Sequence, residues 1–153
     1  MSTSGTVHSL VHATCVALRQ GRQWRAVLLR GPSGVGKSDL ALRLMESGAR
    51  LVADDQTELA CQGDRLIATV PASIAGLIEV RGLGIARLPH DQLMKRARVV
   101  LLVDLVAPRR IERLPELALE SLLGVDLPVL ALAPFEASAS AKLRLALARI
   151  ADA

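Results

Sequence analysis

The sequence contains the stretch Gly31-Pro32-Ser33-Gly34-Val35-Gly36-Lys37-Ser38, which fits the phosphate-loop pattern G-x-x-x-x-G-K-[ST]. Residues 26–29 before it are apolar and predict a buried strand, while apolar residues recur at helical spacing in residues 40–45 after it. Gly48 is placed to end that helix. Phosphate binding requires a strand, a glycine-rich loop and a helix in this order, so the stretch predicts a nucleoside triphosphate site.

Each part of this loop has a chemical role in such a site. The glycines allow several backbone N–H groups to converge on one anion, and the helix N-terminus adds its partial positive charge. The Lys37 ammonium would reach the β- and γ-phosphates, and the Ser38 hydroxyl would ligate Mg²⁺. A Gly-rich turn that ends by chance in Lys-Ser is the alternative, which the flanking strand and helix disfavour. The predicted cofactor-binding residues are Gly31, Pro32, Ser33, Gly34, Val35, Gly36, Lys37 and Ser38.

Length and composition limit the class of protein. A chain of 153 residues predicts one domain, residues 1–153, and its core must be aliphatic because 51% of the residues are hydrophobic but only 1% are aromatic. The net charge of +4 suits anionic ligands or an acidic partner surface. Without aromatic platforms for stacked bases or a nucleic-acid-binding motif in the sequence, we expect no nucleic acid partner.

The sequence also predicts a soluble, cytoplasmic protein without a membrane partner. Residues 1–5 show neither the basic nor the apolar region of a signal peptide. The longest apolar stretch, residues 99–107, is interrupted by Asp104 and is too short to span a bilayer. Cys15 and Cys61 have no metal-like spacing, so we expect them to be reduced thiols.

The order of the predicted elements indicates an α/β fold with a mixed sheet. Residues 6–18 predict a strand, and a second strand leads into the phosphate loop, so the two form a hairpin and not a simple βαβ start. The further predictions, in chain order, are a strand over 50–55 that ends in two carboxylates, a hairpin of 56–60 with 65–70, a short helix or turn over 71–76, a strand over 99–106, a basic loop over 108–115, a strand over 127–132 and a helix over 138–151.

The two carboxylates Asp54 and Asp55 are candidates for the chemistry. In open α/β sheets, ligands bind beyond the carboxyl ends of the strands, where this pair lies. Adjacent residues on an extended segment point to opposite sides, so the two should have different roles. One would hold a metal-bound water or orient its neighbour, and the other would accept a proton from the phosphoryl acceptor. A solvated pair that caps a turn would have the same sequence, and spacing does not decide between these readings.

Two other stretches offer acidic residues. Residues 79–84 contain an acid, a base and two glycines, in which Glu79 can ligate Mg²⁺ and Arg81 can bind an oxyanion. A surface turn with an ion pair would have a similar sequence. Asp104 ends the apolar run 99–103, which has the form of a Walker B strand or of an ordinary strand that ends in an acid.

Four stretches taken together resemble the HPr kinase/phosphorylase family of bacteria, whose nucleotide site is similar to that of phosphoenolpyruvate carboxykinases. The stretch 78–85 is close to a signature of that family and is more specific than the phosphate loop. Glu112-Arg113-Leu114 is a weaker fifth match, and the resemblance spans residues 7 to about 135. The four stretches are Val11-His12, Gly31 to Ser38, Leu51-Val52-Ala53-Asp54-Asp55 and Ile78-Glu79-Val80-Arg81-Gly82-Leu83-Gly84-Ile85.

The resemblance implies a P-loop kinase domain that uses ATP and Mg²⁺ to phosphorylate a serine of an HPr-like phosphocarrier protein of the sugar phosphotransferase system. In that case Asp55 would be the proton acceptor with Asp54 as its support, and the Walker B role would not fall to Asp104. The implied catalytic residues are Asp55, Lys37, His12, Arg113 and Asp54, and the implied metal ligands are Ser38 and Glu79.

Two features depart from the family pattern. The sequence shows no counterpart of the N-terminal domain of longer members, so we expect a short form that consists of the catalytic domain. The family's basic Pro-Val-Arg-Pro-Gly-Arg run, linked to dephosphorylation, is replaced here by Pro128-Val129-Leu130-Ala131-Leu132, so we expect phosphorolysis to be weak or absent. The resemblance also implies a homo-oligomer, in the form of a hexamer.

Two other functions stay open at the level of the sequence. A generic P-loop small-molecule kinase would use Asp104 as its Walker B acid and would not require the Asp54-Asp55 pair or Glu79. A non-catalytic nucleotide-sensing module would keep the ligands for ATP without turnover.

Overall fold

The computed structural model describes residues 7–150, which form a mixed β-sheet with two helices. Short 3-10 turns lie at Ala72–Ile74, His90–Gln92 and Pro108–Arg110. The strands and helices are β1 His8–Val11, β2 Ala13–Gln20, β3 Gln23–Arg30, α1 Lys37–Glu46, β4 Arg50–Ala53, β5 Thr57–Gln62, β6 Arg65–Thr69, β7 Leu77–Val80, β8 Gly84–Arg87, β9 Arg96–Leu105, β10 Ala118–Leu122, β11 Val125–Leu132 and α2 Ala139–Ile150.

Within residues 7–150, nine strands form one sheet, and β7 with β8 forms a separate hairpin. Seven of these strands follow the order β1-β5-β6-β9-β3-β2-β4. The other two join at β9: β11 pairs with residues 102–105 of β9, and β10 pairs with β11. β2 is antiparallel to β3, whereas β3 is parallel to β9 and β9 is parallel to β11. The α/β fold with a mixed sheet, predicted from the hairpin before the phosphate loop, is therefore confirmed.

The three parallel strands determine where the loops meet. β3, β9 and β11 end at the same edge of the sheet, as the pairing of Asp104 with both Arg30 and Ala131 shows. The phosphate loop follows β3, and residues 133–138 follow β11. Both connections therefore leave the sheet on one side, the side on which ligands of α/β sheets bind.

Two aliphatic clusters cover the two faces of the sheet. Along β2, Val16 and Leu18 face the cluster that contains α1 and α2, while Cys15 and Ala17 face the other. This alternation is the two-residue period of a strand that is buried on both sides. The aliphatic core that the composition predicts is confirmed. Neither helix of the described region has the length and apolar composition that a membrane crossing requires.

The structure differs from the sequence prediction at one predicted strand and at one strand that the sequence does not predict. The predicted strand over 6–18 is interrupted at His12, where the chain passes from pairing with β5 to pairing with β3 and β4. Among residues 7–150, β10 pairs with β11 alone and is largely exposed. Its sequence therefore lacks a buried apolar run and does not predict this strand. Residue 6 of that first strand and residue 151 of the last helix lie outside the described residues.

Arg30, the last residue of β3, binds two carboxylates from neighbouring strands. Its Nε and Nη2 donate hydrogen bonds to Asp104 at 2.8 and 3.2 Å, and its Nη1 and Nη2 donate to Glu120 at 2.6 and 2.8 Å. These hydrogen bonds lower the pKa of the Glu120 carboxyl and raise the pKa of the Arg30 guanidinium. Arg30 thereby links the end of β3, which leads into the phosphate loop, to β9 and β10.

Replacing Glu120 should reveal this ion pair as a pH-dependent part of the stability. At neutral pH, Glu120→Gln should lower the free energy of unfolding by less than about 1 kcal/mol, since the pair is partly exposed. The pKa of Glu120 is lowered in the folded protein, so its contribution is present above the unfolded value of about 4.3 and is lost as the pH falls through the folded value. Denaturant titrations from neutral pH to about pH 3 measure the effect.

In that experiment the two proteins should become equally stable at the acidic end of the range. Glu116→Gln is the control, because Glu116 is an exposed carboxylate with no ion pair within residues 7–150. A difference between wild type and Glu120→Gln that stays constant with pH would contradict the charge-dependent interaction.

Candidate active site

The phosphate loop, residues 31–38, leads into α1, which begins at Lys37. Gly34 and Gly36 have φ angles of 83° and 113°, a region of backbone conformation that favours glycine. Lys37 is buried, and its Nζ donates hydrogen bonds to the carbonyl oxygens of Gly31 at 2.7 Å and Pro32 at 3.1 Å. The carbonyl oxygens of Gly31 and Pro32 therefore hold the ammonium group against the phosphate loop.

Asp54, which directly follows β4, is buried and accepts three hydrogen bonds. The hydroxyls of Ser38 and Thr14 donate to its Oδ1 at 2.6 and 3.1 Å, and the backbone N–H of Glu79 donates to its Oδ2 at 2.9 Å. Because the Ser38 hydroxyl donates its hydrogen bond to Asp54, the lone pairs of its oxygen stay available to a cation.

Asp55 lies on a turn and not on the extended segment that the sequence predicts. Its φ is 68°, and the Gln56 N–H bonds to the Asp54 carbonyl oxygen at 2.8 Å. Its side chain is about half exposed, and its Oδ1 lies 2.6 Å from His12 Nε2 and 4.0 Å from Lys37 Nζ. The extended geometry was wrong, although the side chains of the two aspartates do have different surroundings.

A cavity of about 300 Å³ lies beside the phosphate loop. A Cβ built on Gly34 would lie 3.9 Å from Arg81 Nη2, so this guanidinium is close to the loop. The oxygen donors of Ser38 and Glu79 suit Mg²⁺, which commonly binds through one or two carboxylates, waters and substrate phosphates. The cavity is lined by Ser33, Gly34, Gly36, Lys37, Ser38, Asp39, Leu42, Asp55, Glu79, Val80, Arg81 and Phe135.

Comparison with known proteins agrees with this geometry. Residues 7–142 match the family described as HPr Serine kinase C-terminal domain. The chain belongs to this family. The HPr kinase/phosphorylase of Geobacillus thermodenitrificans is 40% identical over 117 residues, which cover 67% of this chain and 36% of that protein. The HPr kinase/phosphorylase of an Exiguobacterium species is 52% identical over 60 residues, which cover 39% of this chain and 19% of that protein. The chain spans well under half the length of these curated relatives.

A solved structure of a relative has the same fold. The Hpr(Ser) kinase/phosphatase from Coxiella burnetii matches with a TM-score of 0.76 and 27% sequence identity, over 92% of this chain and 88% of that chain. The predicted membership of the HPr kinase family and the predicted fold class are therefore confirmed.

Most of the residues that the sequence predicts for the site lie together in this family member. The phosphate loop, the acids after β4 and the β7–β8 hairpin meet at one cavity, and His12 joins them through its contact with Asp55. The predicted catalytic and metal-ligating residues that either line the cavity or are hydrogen-bonded to its lining are His12, Lys37, Ser38, Asp54, Asp55 and Glu79.

Two predicted residues lie apart from the cavity. Arg113 is exposed in the irregular segment between Pro108–Arg110 and β10, and it is not among the lining residues. Asp104, the Walker B acid of the alternative hypothesis, is bound by Arg30, while the phosphate-loop hydroxyl of Ser38 bonds to Asp54. The geometry therefore gives the acid after β4, and not the acid at the end of β9, the contact with the loop.

The sequence did not indicate two residues that belong to the site. Thr14 is fully buried, and its hydroxyl donates to Asp54 and accepts from the Asp55 N–H at 3.0 Å. This contact depends on the pairing of β2 with β4, which no local spacing reveals. Phe135 lines the cavity. The one sequence signal that could have indicated this residue is the scarcity of aromatic residues, since the chain has one Phe, one Trp and no Tyr.

Removing the Thr14 hydroxyl should weaken the fold at this point. Thr14→Val keeps the shape of the side chain but leaves the Asp55 N–H without its acceptor and Asp54 without one donor, so we expect the free energy of unfolding to fall by about 1–3 kcal/mol. Denaturant unfolding measures the loss. Thr57→Val is the matched control, because Thr57 is also buried and donates one hydrogen bond, to the Ala13 carbonyl at 2.8 Å. A loss no larger than that of the control would contradict the bridging role.

Proposed function

We propose that this chain is a single catalytic domain that uses ATP and Mg²⁺ to phosphorylate a serine of an HPr-like phosphocarrier protein of the sugar phosphotransferase system. One observation carries the proposal: the two acids after β4 have separate contacts, Asp54 with Ser38 of the phosphate loop and Asp55 with His12 at the cavity. Membership of the HPr kinase family supports it. A homo-oligomer, as a hexamer in the cytoplasm, belongs to the same proposal.

The phosphate loop would bind and neutralise the triphosphate. In phosphoryl transfer, positioning and charge stabilisation contribute most of the catalysis. The backbone N–H groups of the loop and the Lys37 ammonium would contact the phosphate oxygens, and Arg81 offers a guanidinium beside Gly34. The Lys37 ammonium is bonded to the Gly31 and Pro32 carbonyl oxygens, so it would exchange these contacts for phosphate oxygens when the nucleotide binds.

The residues that would hold Mg²⁺ are Ser38 and Glu79. The metal, when bound, supplies positive charge to the β- and γ-phosphates. Asp54 would act through Ser38, because it accepts the hydrogen bond of the Ser38 hydroxyl and thereby orients the lone pairs of that oxygen. Its bond from the Glu79 N–H also holds the β7 strand, which carries the second predicted ligand, against the loop.

Asp55 would accept the proton of the serine hydroxyl. As the serine oxygen bonds to the γ-phosphorus, the bond from that phosphorus to the bridging oxygen of ADP breaks and the proton passes to the carboxylate. Only the Oδ1 of Asp55 has a partner among residues 7–150, so Oδ2 is left to face the acceptor. His12 would orient the carboxylate through its 2.6 Å contact. Arg113 stays a predicted participant, whose segment would have to approach the cavity to act.

Label transfer tests the proposed function directly. The protein is incubated with γ-labelled ATP, Mg²⁺ and the HPr-like proteins of the host, and the label should appear on a serine of the phosphocarrier. Lys37→Ala should lose this transfer while it keeps the fold, as judged by circular dichroism. Nucleotide binding without any transfer would indicate a sensing module, and label on a small molecule would indicate a generic kinase; either result would overturn the proposal.

Two further variants separate proton transfer from metal binding in the same assay. Asp55→Asn should lower turnover by roughly 10²–10⁴-fold and largely spare ATP affinity, because it removes a general base. Glu79→Gln should raise the Mg²⁺ concentration required for half-maximal transfer. If both variants show the same metal dependence, the proposed roles of the two acids are wrong.

We also propose that phosphorolysis is weak or absent. A site for that reaction must hold inorganic phosphate beside a phosphoserine, and the repulsion between them requires fixed cations, for which arginine is suited. Residues 129–132 are aliphatic and pair with β9 as part of β11, so they offer no cation. Phosphoserine-bearing acceptor with inorganic phosphate and no ATP should release little pyrophosphate. Release at a rate comparable to that of the kinase reaction would contradict this part.

A further inference from the structure

Phe135 is one of only two aromatic residues in the sequence, and 70% of its surface is exposed. A single exposed apolar side chain is common on protein surfaces and needs no explanation by itself. This one, however, lines the cavity beside the phosphate loop. Its position in the site, and not its exposure, indicates a contact with a ligand.

The sheet topology brings Phe135 to the phosphate loop. β3, β9 and β11 are parallel, so residues 31–38 and 133–138 leave the sheet at the same edge. A turn closed by a hydrogen bond from the Glu136 N–H to the Ala133 oxygen, at 3.3 Å, carries the aromatic ring. The ring is therefore placed by the strand order and by a turn that begins directly after β11.

Contacts with α1 hold the ring in place. A Cβ built on Gly36 would lie 2.9 Å from Phe135 Cζ and 3.3 Å from Pro134 Cβ, so the ring packs closely against this glycine and would have to shift if a larger residue stood there. Arg43 donates hydrogen bonds to the Pro134 carbonyl oxygen and, at 3.0 Å, to Asp39 one turn earlier on the helix. The turn that carries Phe135 is thus bonded to α1, and the ring packs against Gly36 while most of its surface stays exposed.

The cavity combines two kinds of surface. Lys37, Ser38 and Glu79 offer the charged and polar groups that suit phosphates and a metal. Leu42, on the face of α1 that also bears Asp39, and Phe135 offer apolar surface in the same cavity. A nucleotide held by its phosphates in the loop still has a flat base to place, and aromatic rings stack favourably on bases of any identity.

We propose that Phe135 stacks on the purine base of the nucleotide whose phosphates lie in the phosphate loop, and that Leu42 completes this base subsite. The proposal rests on the nucleotide binding in the proposed function and adds the place of the base. Phe135 then contributes to nucleotide affinity, while the transfer of the phosphoryl group depends on the polar side of the cavity.

Equilibrium binding of two ligands tests this subsite. Calorimetry with ATP and with inorganic tripolyphosphate, both with Mg²⁺, compares a ligand that has a base with one that lacks it. Phe135→Ala should weaken ATP binding by roughly 5- to 150-fold, the range that corresponds to one stacked base, and should leave tripolyphosphate binding unchanged. Leu145→Ala is the control, because Leu145 is an exposed apolar residue of α2 that does not line the cavity.

Substitutions of graded chemistry separate stacking from bulk. Phe135→Leu keeps an apolar side chain but no π-face, so it should lose most of the ATP affinity that Phe135→Ala loses. Phe135→Trp should retain the ATP affinity of the wild type. The double variant Trp24→Phe/Phe135→Trp contains a single indole, which lies at the proposed subsite. ATP should change the fluorescence of this indole, and tripolyphosphate should leave it largely unaffected.

Each other result has a definite meaning. Wild-type protein that fails to bind ATP would overturn the proposed function itself. ATP binding that is unaffected by Phe135→Ala would overturn only the base subsite. If the same variant also raised the KM for the acceptor protein, Phe135 would belong to the acceptor surface instead. Equal weakening of ATP and tripolyphosphate would show that the ring supports the loop through Gly36, and would also overturn the subsite.

Discussion

The carboxyl group of Asp54 is the point on which the geometry of the site depends. A buried carboxylate is costly unless hydrogen bonds compensate for its lost hydration. Here the donors are the Ser38 hydroxyl at the start of α1, the Thr14 hydroxyl on β2 and the Glu79 N–H on β7. One buried group thereby joins the helix, the sheet and the β7–β8 hairpin, and these elements form the walls of the cavity.

This use of Asp54 determines what Asp55 can do. Since Asp54 points inward, the chain turns sharply after it, and Asp55 takes a left-handed conformation that aspartate tolerates better than most residues. The turn exposes its carboxylate to the cavity, where His12 and Lys37 lie nearest to Oδ1. Residues held in sparsely populated backbone conformations are frequent at functional sites, and this one is held by the Thr14 hydroxyl that accepts its N–H bond.

The acid at the end of the central strand has a structural role instead. Asp104 pairs with both β3 and β11 in the sheet. Its carboxylate accepts hydrogen bonds from Arg30, which also donates to the Glu120 carboxylate. The three charges link the strands that precede the phosphate loop and the β10–β11 hairpin. Apart from Asp39 on α1, the acids that line or support the cavity are Asp54 and Asp55 after β4 and Glu79 on β7. In the sheet, β4 and β9 lie on opposite sides of β3.

The sequence predicts contacts between residues that are close together in the chain better than contacts between distant residues. The sequence predicts the strand and the helix on either side of the phosphate loop, although both are longer in the structure, at Gln23–Arg30 and Lys37–Glu46. This prediction succeeds because helical hydrogen bonds join residues close together in sequence, as from Leu40 to Gly36. The contacts of His12 with Asp55 and of Thr14 with Asp54 span 43 and 40 residues. For His12 the family resemblance supplied the expectation, whereas nothing in the sequence indicated Thr14.

By itself, the sequence determined the presence of the phosphate loop, the choice of candidate acids and the resemblance to the family, since these depend on local pattern and residue type. Tertiary structure alone decided which acid bonds to Ser38, that Asp104 serves Arg30, and that Phe135 packs against Gly36. The physical reason is that strand order and register place side chains from distant segments side by side. Both are set by the packing of the whole sheet, and a one-residue shift in register would turn each strand side chain to the opposite face.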